Sequence, residues 1–219
     1  METSDTFHLL LDCLLQSSDP APREREVPLS GEQSASLDRT NRMQRPSGQV
    51  EVISARLDQA PILANLLELY AHDFSEFHHL ALHADGRFGY PNLYRYWTEP
   101  TLHPFLITIA GELAGFALIK RRRSLISNGA AVWDMAEFFV TRAYRRQKFG
   151  TQVAHALWRR FPGAWEVRVM ASNTLAFRFW KRAISEFTAA KAQALNIESR
   201  GSWFLFSFES AVRFSHAAE

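Results

Sequence analysis

The stretch FFVTRAYRRQKFGTQVAHAL, residues 138–157, decides the fold, because a short apolar run leads there through a basic loop into an amphipathic pattern. The run at 138–140 is aromatic and β-branched, which is typical of the end of a buried strand. After Gly150, apolar residues recur every three or four positions, which predicts a helix with one buried face. We therefore predict the local order strand, basic loop, helix.

The basic loop is a candidate anion site. The first backbone N–H groups of a helix have no partner within it, and the helix dipole places partial positive charge beside them. A diphosphate commonly fills such a site. Five side chains of the loop can donate to phosphate oxygens, namely Arg142, Arg145, Arg146, Gln147 and Lys148. An ordinary solvated turn is the alternative, since a strand, a loop and a helix with one glycine form a weak motif.

The segment resembles the acetyl-CoA-binding motif of the GNAT superfamily of N-acetyltransferases, in which a Val-x-x-x-Tyr lead precedes Arg/Gln-x-x-Gly-x-Gly/Ala. Val140, Tyr144, Arg145 and Gly150 occupy motif positions, whereas Lys148 replaces the first glycine. A glycine lets the backbone approach phosphate without a Cβ atom in the way. Lys148 must therefore either bend the loop or add a charge to the diphosphate, and we expect binding to be retained.

The resemblance also implies a ligand and its position. Acetyl-CoA would be the co-substrate and would enter between two strands that splay apart. Its diphosphate would lie on the N–H groups of residues 146–151, and its pantetheine arm along Phe139 and Val140. The implied binding residues are Phe139, Val140, Arg145, Arg146, Gln147, Lys148, Phe149, Gly150, Thr151, Asn173 and Trp180.

A second match lies downstream, where Asn173 opens a predicted helix. The family has an Asn near this helix start and a Phe-Tyr pair further on, and Asn173 and Phe179 fit that pattern. Asn173 also suits plain capping of the helix. Trp180 stands where many members carry the Tyr that protonates the departing thiolate, and an indole N–H cannot serve as that acid. Protonation would then fall to water, or to another group such as Tyr94 or Tyr96.

Two carboxylates, Asp134 and Glu137, lie on the strand predicted at residues 131–140. A regular strand points them to opposite faces unless a bulge intervenes. The resemblance implies that this strand often carries a bulge and that a Glu or Asp on it acts as the base for an ammonium acceptor. At most one of the two is expected to face the groove. Glu137 lies nearer the thioester end and Asp134 nearer the acceptor side, and both remain candidates.

The remaining pattern predicts strands interleaved with helices. Strands are predicted at residues 50–57, 104–110, 113–120, 131–140, 165–170, 187–195 and 202–209, and the first helix runs from a cap at Asp58 to about Phe77 with Pro61 in its first turn. This order gives an α+β domain with a mixed, mostly antiparallel sheet. The resemblance implies a GNAT-like, three-layer arrangement in which helices flank a splayed central sheet.

The segment at residues 78–97 combines histidines with aromatics. His78, His79 and His83 suggest a metal, yet no cysteine or firmly placed carboxylate completes a ligand set, so no metal site is predicted. Aromatics crowd residues 85–97, where the family resemblance implies a wall of the acceptor groove. These side chains are candidates for substrate contact, and a satellite core under a loop is the alternative.

Composition excludes several classes of protein. The net charge of the 219-residue chain is only +2, which does not favour nucleic acid as a partner. Basic residues cluster instead at 120–123 and 142–148, which suits a compact polyanion such as CoA, although 120–123 also suits the solvated end of a strand. The lone Cys13 cannot form an internal disulfide, and no signal peptide or membrane-spanning stretch is recognisable. A cytoplasmic protein is expected.

The domain boundaries follow from polarity. Residues 1–48 are mostly polar and are predicted to be a disordered N-terminal extension, residues 49–210 form the acetyltransferase-like domain, and residues 211–219 form a short tail. A homodimer through the C-terminal strand pair is one expectation.

The function implied by the resemblance is acetyl transfer from acetyl-CoA to a primary amine of a small molecule or a peptide. Polyamines, aminoglycosides, amino-acid derivatives and protein amino termini all stay open as acceptors. Two alternatives belong to other classes of protein. One is an acetyl-CoA-binding domain without catalysis, and the other is an interaction protein whose basic loop binds an acidic partner.

Overall fold

The computed structural model describes residues 48–198 and 201–210, and the structural statements below concern those residues. The predictions of a disordered N-terminal extension and of a separate C-terminal tail lie outside them, apart from Gly48. In these two ranges, no helix combines the length and the apolar character that crossing a membrane requires.

Strands and helices alternate along the described chain. The strands are β1 (Val50–Ser54), β2 (Leu102–Ile109), β3 (Glu112–Arg123), β4 (Ala131–Val140), β5 (Gly163–Met170), β6 (Ala194–Glu198) and β7 (Ser202–Ser210). The α-helices are α1 (Ala60–Phe74), the one-turn α2 (Arg95–Thr98), α3 (Phe149–Arg160) and α4 (Thr174–Thr188). Short 3-10 turns at Leu57–Gln59 and Arg142–Tyr144 precede α1 and α3.

The described strands form one seven-stranded sheet in the order β1-β2-β3-β4-β5-β7-β6. Neighbours run antiparallel except β4 and β5, which are parallel. The pairing of β4 with β5 joins Trp133 to Trp165 and Asp134 to Glu166. Beyond these two pairs the strands diverge, so their facing edges are open to a ligand. The predicted mixed, mostly antiparallel and splayed sheet is confirmed.

Apolar side chains bury both faces of the sheet and produce the three layers. On one face, α3 and α4 pack against residues such as Ile119, Trp165 and Phe206. On the other face, α1 and Tyr96 of α2 pack against residues such as Phe116 and Leu118. The α+β class with helices on both faces is thus confirmed, and the divergence of β4 from β5 lies between the two layers of helices.

The start of α1 differs in detail from the prediction. Asp58 does not cap the helix, because its carboxylate pairs with Arg56 at 2.6 Å. Gln59 occupies the cap position, but its side chain accepts from the backbone N–H of Arg56 and makes no capping bond to α1. Pro61 lies in the first turn as predicted. The helix ends at Phe74 rather than near Phe77, since the chain continues there as turns.

The predicted strand at residues 187–195 is wrong over residues 187–193. Phe187 belongs to α4 and packs its ring on Trp158, with centroids 5.1 Å apart, so it completes the buried face of that helix. Thr188 donates its hydroxyl to the carbonyl of Ile184, and Ala189 ends the helix in a left-handed conformation. The strand therefore begins only at Ala194.

Candidate active site

A cavity of about 160 Å³ occupies the space between the diverging strands β4 and β5. Its aromatic lining includes Tyr70, Phe74, Tyr90, Tyr96, Phe138 and Trp203. Its charged lining consists of Lys120, Glu137 and Arg168, so the carboxylate candidate Glu137 lies at the cavity. Asp134 does not line it.

A β-bulge in β4 sets the direction of the two carboxylates. Leu118 of β3 pairs with Glu137, and the next residue, Ile119, pairs with Met135, so Ala136 is an extra residue. A bulge shifts the alternation of side chains by one position. Asp134 and Glu137 consequently lie on the same face of the sheet, the face covered by α1.

Asp134 is enclosed by cations and has no exposed surface. Its Oδ2 atom lies 2.9 Å from Arg122 Nε, 3.0 Å from Arg168 and 3.6 Å from Lys120 Nζ. Burial favours the neutral carboxyl, but the charges of Arg168, Arg122 and Lys120 together hold the pKa of Asp134 well below its usual range. A carboxylate in this environment stays ionised and is a poor proton acceptor near neutral pH.

Glu137 has the opposite environment, although it lies three residues away on the same strand. Burial raises the pKa of Glu137 to about 7, and hydrogen bonding by Tyr70, the charges of Lys120 and Arg168, and hydrogen bonding by Tyr90 oppose that rise only in part. The hydroxyl of Tyr90 donates to Glu137 Oε1 at 3.3 Å. A carboxyl group with a pKa near the working pH is well matched to general-base catalysis.

The aromatic segment reaches this carboxylate because it is anchored on α1. The backbone N–H groups of Phe88 and Gly89 donate to the carboxylate of Glu68, at 2.8 and 2.9 Å. This clamp holds the following Tyr90 over Glu137. Part of the predicted acceptor wall therefore lies at the cavity.

Of the two tyrosines considered as proton donors to the thiolate, the cavity includes one. Tyr96 is buried and lines the cavity. Tyr94 is 61% exposed and is absent from the lining, which makes it a surface residue.

The loop before α3 has the backbone conformation of a glycine motif. Lys148, which replaces the first glycine, has φ +66° and lies in the left-handed region, as does Arg146 at φ +62°. No side chain caps α3. The N–H groups of the first helical turn, at Phe149, Gly150 and Thr151, therefore remain available to an anion.

Two arginines of this loop bind protein groups. Arg142 and Arg145 each contact one oxygen of Asp73 on α1 at 2.6 Å. Arg145 Nε also donates to the carbonyl of Val140 at 2.7 Å. These contacts fix the loop against α1, and donation by the two guanidinium groups to phosphate stays a prediction.

The other polar side chains of the loop differ from one another. Gln147 donates to the carbonyl of Ala143 at 2.8 Å, which shapes the turn. Arg146 and Lys148 are exposed and flank the start of α3. They are the cationic side chains left to meet a diphosphate.

The start of α3 packs closely on α4. A Cβ atom at Gly150 would lie 3.2 Å from the ring of Phe179, so glycine permits this approach. Phe179 stacks on Phe138 with ring centroids 5.8 Å apart, and Trp180 packs edge-on to Phe138 at 5.1 Å. Asn173 caps α4 by accepting from Ala176 N–H at 2.9 Å.

Four of the predicted ligand-binding residues are buried in the core, and of these four only Trp180 lines the cavity. Phe139, Val140 and Phe149 are at most 7% exposed. Their side chains hold the strand and the helix in place. A ligand could reach these residues chiefly through their backbone groups.

Of the basic cluster at residues 120–123, Arg123 is exposed, as a solvated strand end would be, whereas the other three side chains contact protein groups. Contact of the cluster with CoA stays a prediction. Lys120 is buried, and Arg122 bridges Asp134 and Glu166, with its NH2 group 2.8 Å from Glu166 Oε2. Arg121 points to the other face and stacks its guanidinium on Trp133, 4.7 Å from the ring centroid. The cluster mainly compensates buried carboxylates.

Sequence reasoning missed Tyr70 and Arg168 as residues of the site. Tyr70 lies on the apolar face of α1 and carries no separate signal. Arg168 alternates with Val167 and Val169 on β5, and such a charge in an apolar alternation marks the polar face of a strand. Among the residues in the described ranges, no group of three or more potential ligands could hold a metal ion.

Comparison with known proteins bears on this geometry. The family model described as "Acetyltransferase (GNAT) family" matches residues 63–184, which include most of α1, the bulged strand β4, the loop and most of α4. No curated protein sequence matches the chain significantly.

Solved structures share the fold at low sequence identity. A GNAT-family acetyltransferase from Streptococcus agalactiae has 9% identity and a TM-score of 0.55, and the match covers 73% of this chain and 95% of that one. An acetyltransferase from Thermus thermophilus has 12% identity and a TM-score of 0.54, covering 73% and 96%. A putative acetyltransferase from Salmonella typhimurium, solved with its cofactor acetyl-CoA, has 11% identity and a TM-score of 0.51, covering 77% and 96%.

Proposed function

Because the chain belongs to the GNAT acetyltransferase family, we propose that it transfers the acetyl group of acetyl-CoA to a primary amine, with Glu137 as the general base. The observation that carries this proposal is the position of Glu137. Its carboxyl group lies in the cavity between the splayed strands, and its pKa is about 7. An ammonium acceptor needs such a base, because only the neutral amine is a nucleophile.

The residues around the start of α3 fit the diphosphate of acetyl-CoA. An uncapped helix start, a left-handed backbone at Lys148 and the missing Cβ atom of Gly150 form a cradle of N–H groups. The N–H groups of residues 146–151 would hold the diphosphate, helped by the side chains of Arg146 and Lys148. When bound, acetyl-CoA supplies an acetyl group activated as a thioester.

Other predicted residues would border the remainder of the ligand. The backbone edges of Phe139 and Val140 would lie beside the pantetheine arm, since β5 diverges from β4 there. Asn173 and Trp180 line the cavity. In this proposal Asn173 acts through its cap on α4, and Trp180 acts through packing.

The proton balance assigns one task to Glu137. The acceptor ammonium gives one proton to the carboxylate, directly or through a water. The neutral nitrogen then forms a C–N bond with the acetyl carbonyl carbon, the C–S bond breaks, and the electron pair leaves with sulfur. The nitrogen's second proton completes the thiol, and Glu137 later releases its proton to solvent. A backbone N–H near Phe139 would polarise the carbonyl.

Asp134 has a supporting task in this proposal. Its low pKa keeps it ionised, so it neutralises the cations that surround it rather than taking protons. The second proton of the nitrogen reaches the thiolate through a water or through a cavity tyrosine, which gives one proton to sulfur and takes one from nitrogen. Burial raises the pKa of Tyr90 and of Tyr96, so both phenols remain protonated at neutral pH.

A catalytically silent acetyl-CoA-binding domain is the second candidate. Trp180 favours it, because this buried indole occupies the position of the family's usual acid. The hypothesis of an acidic protein partner has less support, since Arg142 and Arg145 already bind Asp73.

The test is acetyl transfer by the full chain to a panel of amines, measured through the release of the CoA thiol. We expect transfer by the wild type and a loss of roughly 10²–10⁴-fold in Glu137→Gln. Acetyl-CoA at about a hundred times its Kd should add roughly 2.7 kcal/mol to the stability of both proteins. Stabilisation without transfer by the wild type would instead indicate the silent domain. Equal activity of the two proteins would refute Glu137 as the base.

A further inference from the structure

The face of the sheet that lines the cavity carries a group of six charged side chains. The cations are Lys120, Arg122 and Arg168, and the anions are Asp134, Glu137 and Glu166. Asp134 and Glu166 have no exposed surface. In such a buried group, the balance of charge determines which ligands can enter.

The charges in the deepest part of this group are paired without a ligand, although Asp134 Oδ1 has no hydrogen-bond partner within the described ranges. Arg122 bridges Asp134 and Glu166, and the hydroxyl of Ser124 donates to Glu166 Oε1 at 2.5 Å. The N–H of Leu125 lies 3.3 Å from both oxygens of Glu166. This end of the group therefore acts as a fixed support.

Lys120 has fewer close polar partners than the other charged side chains of this group. Its ammonium group is buried and lines the cavity, and its ion pair with Asp134 is 3.6 Å long, which exceeds hydrogen-bond length. Within the described ranges no hydrogen bond is present at its Nζ atom, although an ammonium has three protons to donate. Burial lowers the pKa of Lys120 despite the nearby Asp134, so a further anionic partner would stabilise the charged form.

The cavity is poorly suited to a polycationic acceptor. Its charged lining has a single carboxylate, Glu137, against the two cations Lys120 and Arg168. A polyamine or an aminoglycoside brings several ammonium groups. One of them could face Glu137 and another an aromatic ring, but a further ammonium group would lie near Lys120 or Arg168. Like charges at close range in a partly desolvated site disfavour binding.

An acceptor with both an ammonium and a carboxylate group matches the charges. Its ammonium would face Glu137 and its carboxylate would face Lys120. When Glu137 takes up the proton, the three cations of the group exceed the two remaining anions by one, and the carboxylate of the acceptor cancels that excess. The apolar part of the acceptor would contact rings such as Tyr70, Phe74 and Trp203.

We propose that the acceptor is a small amino acid or a related amine bearing a carboxylate, which Lys120 binds while Glu137 faces its amine. This inference rests on the proposed acetyl transfer. It makes Lys120 a residue that determines specificity among amines.

The experiment compares matched acceptors. Amino acids with apolar side chains are each offered with their amides and their decarboxylated amines, and spermidine is included as a polycation. The proteins are the full-length wild type, Lys120→Met and the control Arg121→Met. Arg121 lies on the same strand but stacks on Trp133 at the opposite face of the sheet. Its substitution by Met removes one positive charge, as Lys120→Met does, but outside the cavity.

We expect the wild type to prefer the free amino acid over its amide by at least about tenfold in kcat/KM, as one charge-assisted hydrogen bond allows. Lys120→Met should lose that preference, mainly through a higher KM for the acid. Because the charge of Lys120 also acts on Glu137, the activity toward the amide and toward the amine should change by one common factor. Arg121→Met should retain the preference. The comparison of acceptors in the wild type is decisive even where Lys120→Met does not fold.

Preference of the wild type for amides or spermidine would overturn the inference, and so would an equal loss for all acceptors in a folded Lys120→Met. If no amine is acetylated, the proposed acetyl transfer is refuted, and binding must then test the role of Lys120. The melting temperature of the wild type, measured with CoA and each acceptor, then tests whether Lys120 binds a carboxylate. A rise with the amino acid and none with its amide would support the anion contact, and no rise with either would refute it.

Discussion

Asp134 and Glu137 lie on the same face of β4 because the bulge at Ala136 shifts the alternation between them. Their environments nevertheless differ. Asp134 has three cations on one oxygen, whereas Glu137 faces tyrosines and the cavity. The pKa of the first is lowered and that of the second is raised to about 7. One strand therefore supplies both a permanent anion and a titrating base.

The first prediction concerns the pH dependence of acetyl transfer. If Glu137 must be ionised to accept a proton, kcat/KM should rise about tenfold per pH unit below pH 7 and level off above it. The measurement is a pH profile of the wild type and of Glu137→Gln. The variant should lack the limb near pH 7 while keeping any limb caused by ionisation of the acceptor. An unchanged limb in the variant would assign it to another group.

The second prediction concerns stability at the same residue. The pKa of Glu137 is higher in the folded protein than its ordinary value of 4.5, so its contribution to stability is full below about pH 4.5 and is lost as pH rises through about 7. Glu137→Gln removes this loss. As pH rises from 5 to 8, the free energy of unfolding of the variant should increase relative to that of the wild type by on the order of 1–2 kcal/mol. The partial exposure of Glu137 keeps this change below the value that its full pKa shift would give. Denaturant unfolding at the two pH values measures it, and a constant difference would contradict the raised pKa.

The third prediction concerns the buried ion group. Asp134→Asn would leave Arg122, Arg168 and Lys120 short of a counter-charge, and we expect a loss of about 3–5 kcal/mol in the free energy of unfolding. Glu186→Gln is the control, because its pair with Arg182 is exposed and its removal should leave stability near that of the wild type. Urea unfolding of both variants tests this. Similar stabilities would show that Asp134 is not the centre of the group.

Much of the fold could be predicted because its periodicities are strong. The alternation in β5 and the three-to-four spacing in α3 and α4 each depend on residues close in sequence, so the pattern alone predicts the element. The splay of β4 from β5 was implied by the family resemblance. The end of α4 was mispredicted because aromatic residues such as Phe187 serve a helix face as well as a strand. Only the packing on Trp158 distinguishes the two.

The site was harder to predict than the fold, because it depends on contacts distant in sequence. Asp73 binds the loop arginines from a helix about seventy residues away, so their spacing alone suggested free phosphate ligands. The single extra residue Ala136 decides where Glu137 points, and it is visible only in the pairing with β3. Lys120 and Arg168 could have been recognised as candidates from their alternation with apolar neighbours.

The fourth prediction concerns the residue that replaces a motif glycine. Lys148 has φ +66°, a conformation that costs a non-glycine residue roughly 1–2 kcal/mol. A glycine there would avoid this cost but would lose more conformational entropy on folding, which offsets part of the gain. Lys148→Gly should therefore raise the free energy of unfolding by about 0.5–1 kcal/mol. Lys148→Ala is the control, because it removes the same charge but keeps the Cβ atom, and it should give no such gain. Acetyl-CoA affinity measured on both variants separates the effect of the charge from that of the backbone.

The fifth prediction decides what the loop arginines do. In the structure Arg142 and Arg145 are held by Asp73, and Arg145 also donates to Val140, which indicates that they position the loop. Asp73→Asn should then weaken acetyl-CoA binding, because the N–H groups at the start of α3 lose their fixed position. If instead the arginines bind the diphosphate directly, releasing them from Asp73 should strengthen binding. Titration calorimetry with acetyl-CoA distinguishes the two by sign. Glu76→Gln, two residues beyond the end of α1, controls for the loss of one negative charge near Arg142 that leaves the contacts with Asp73 in place.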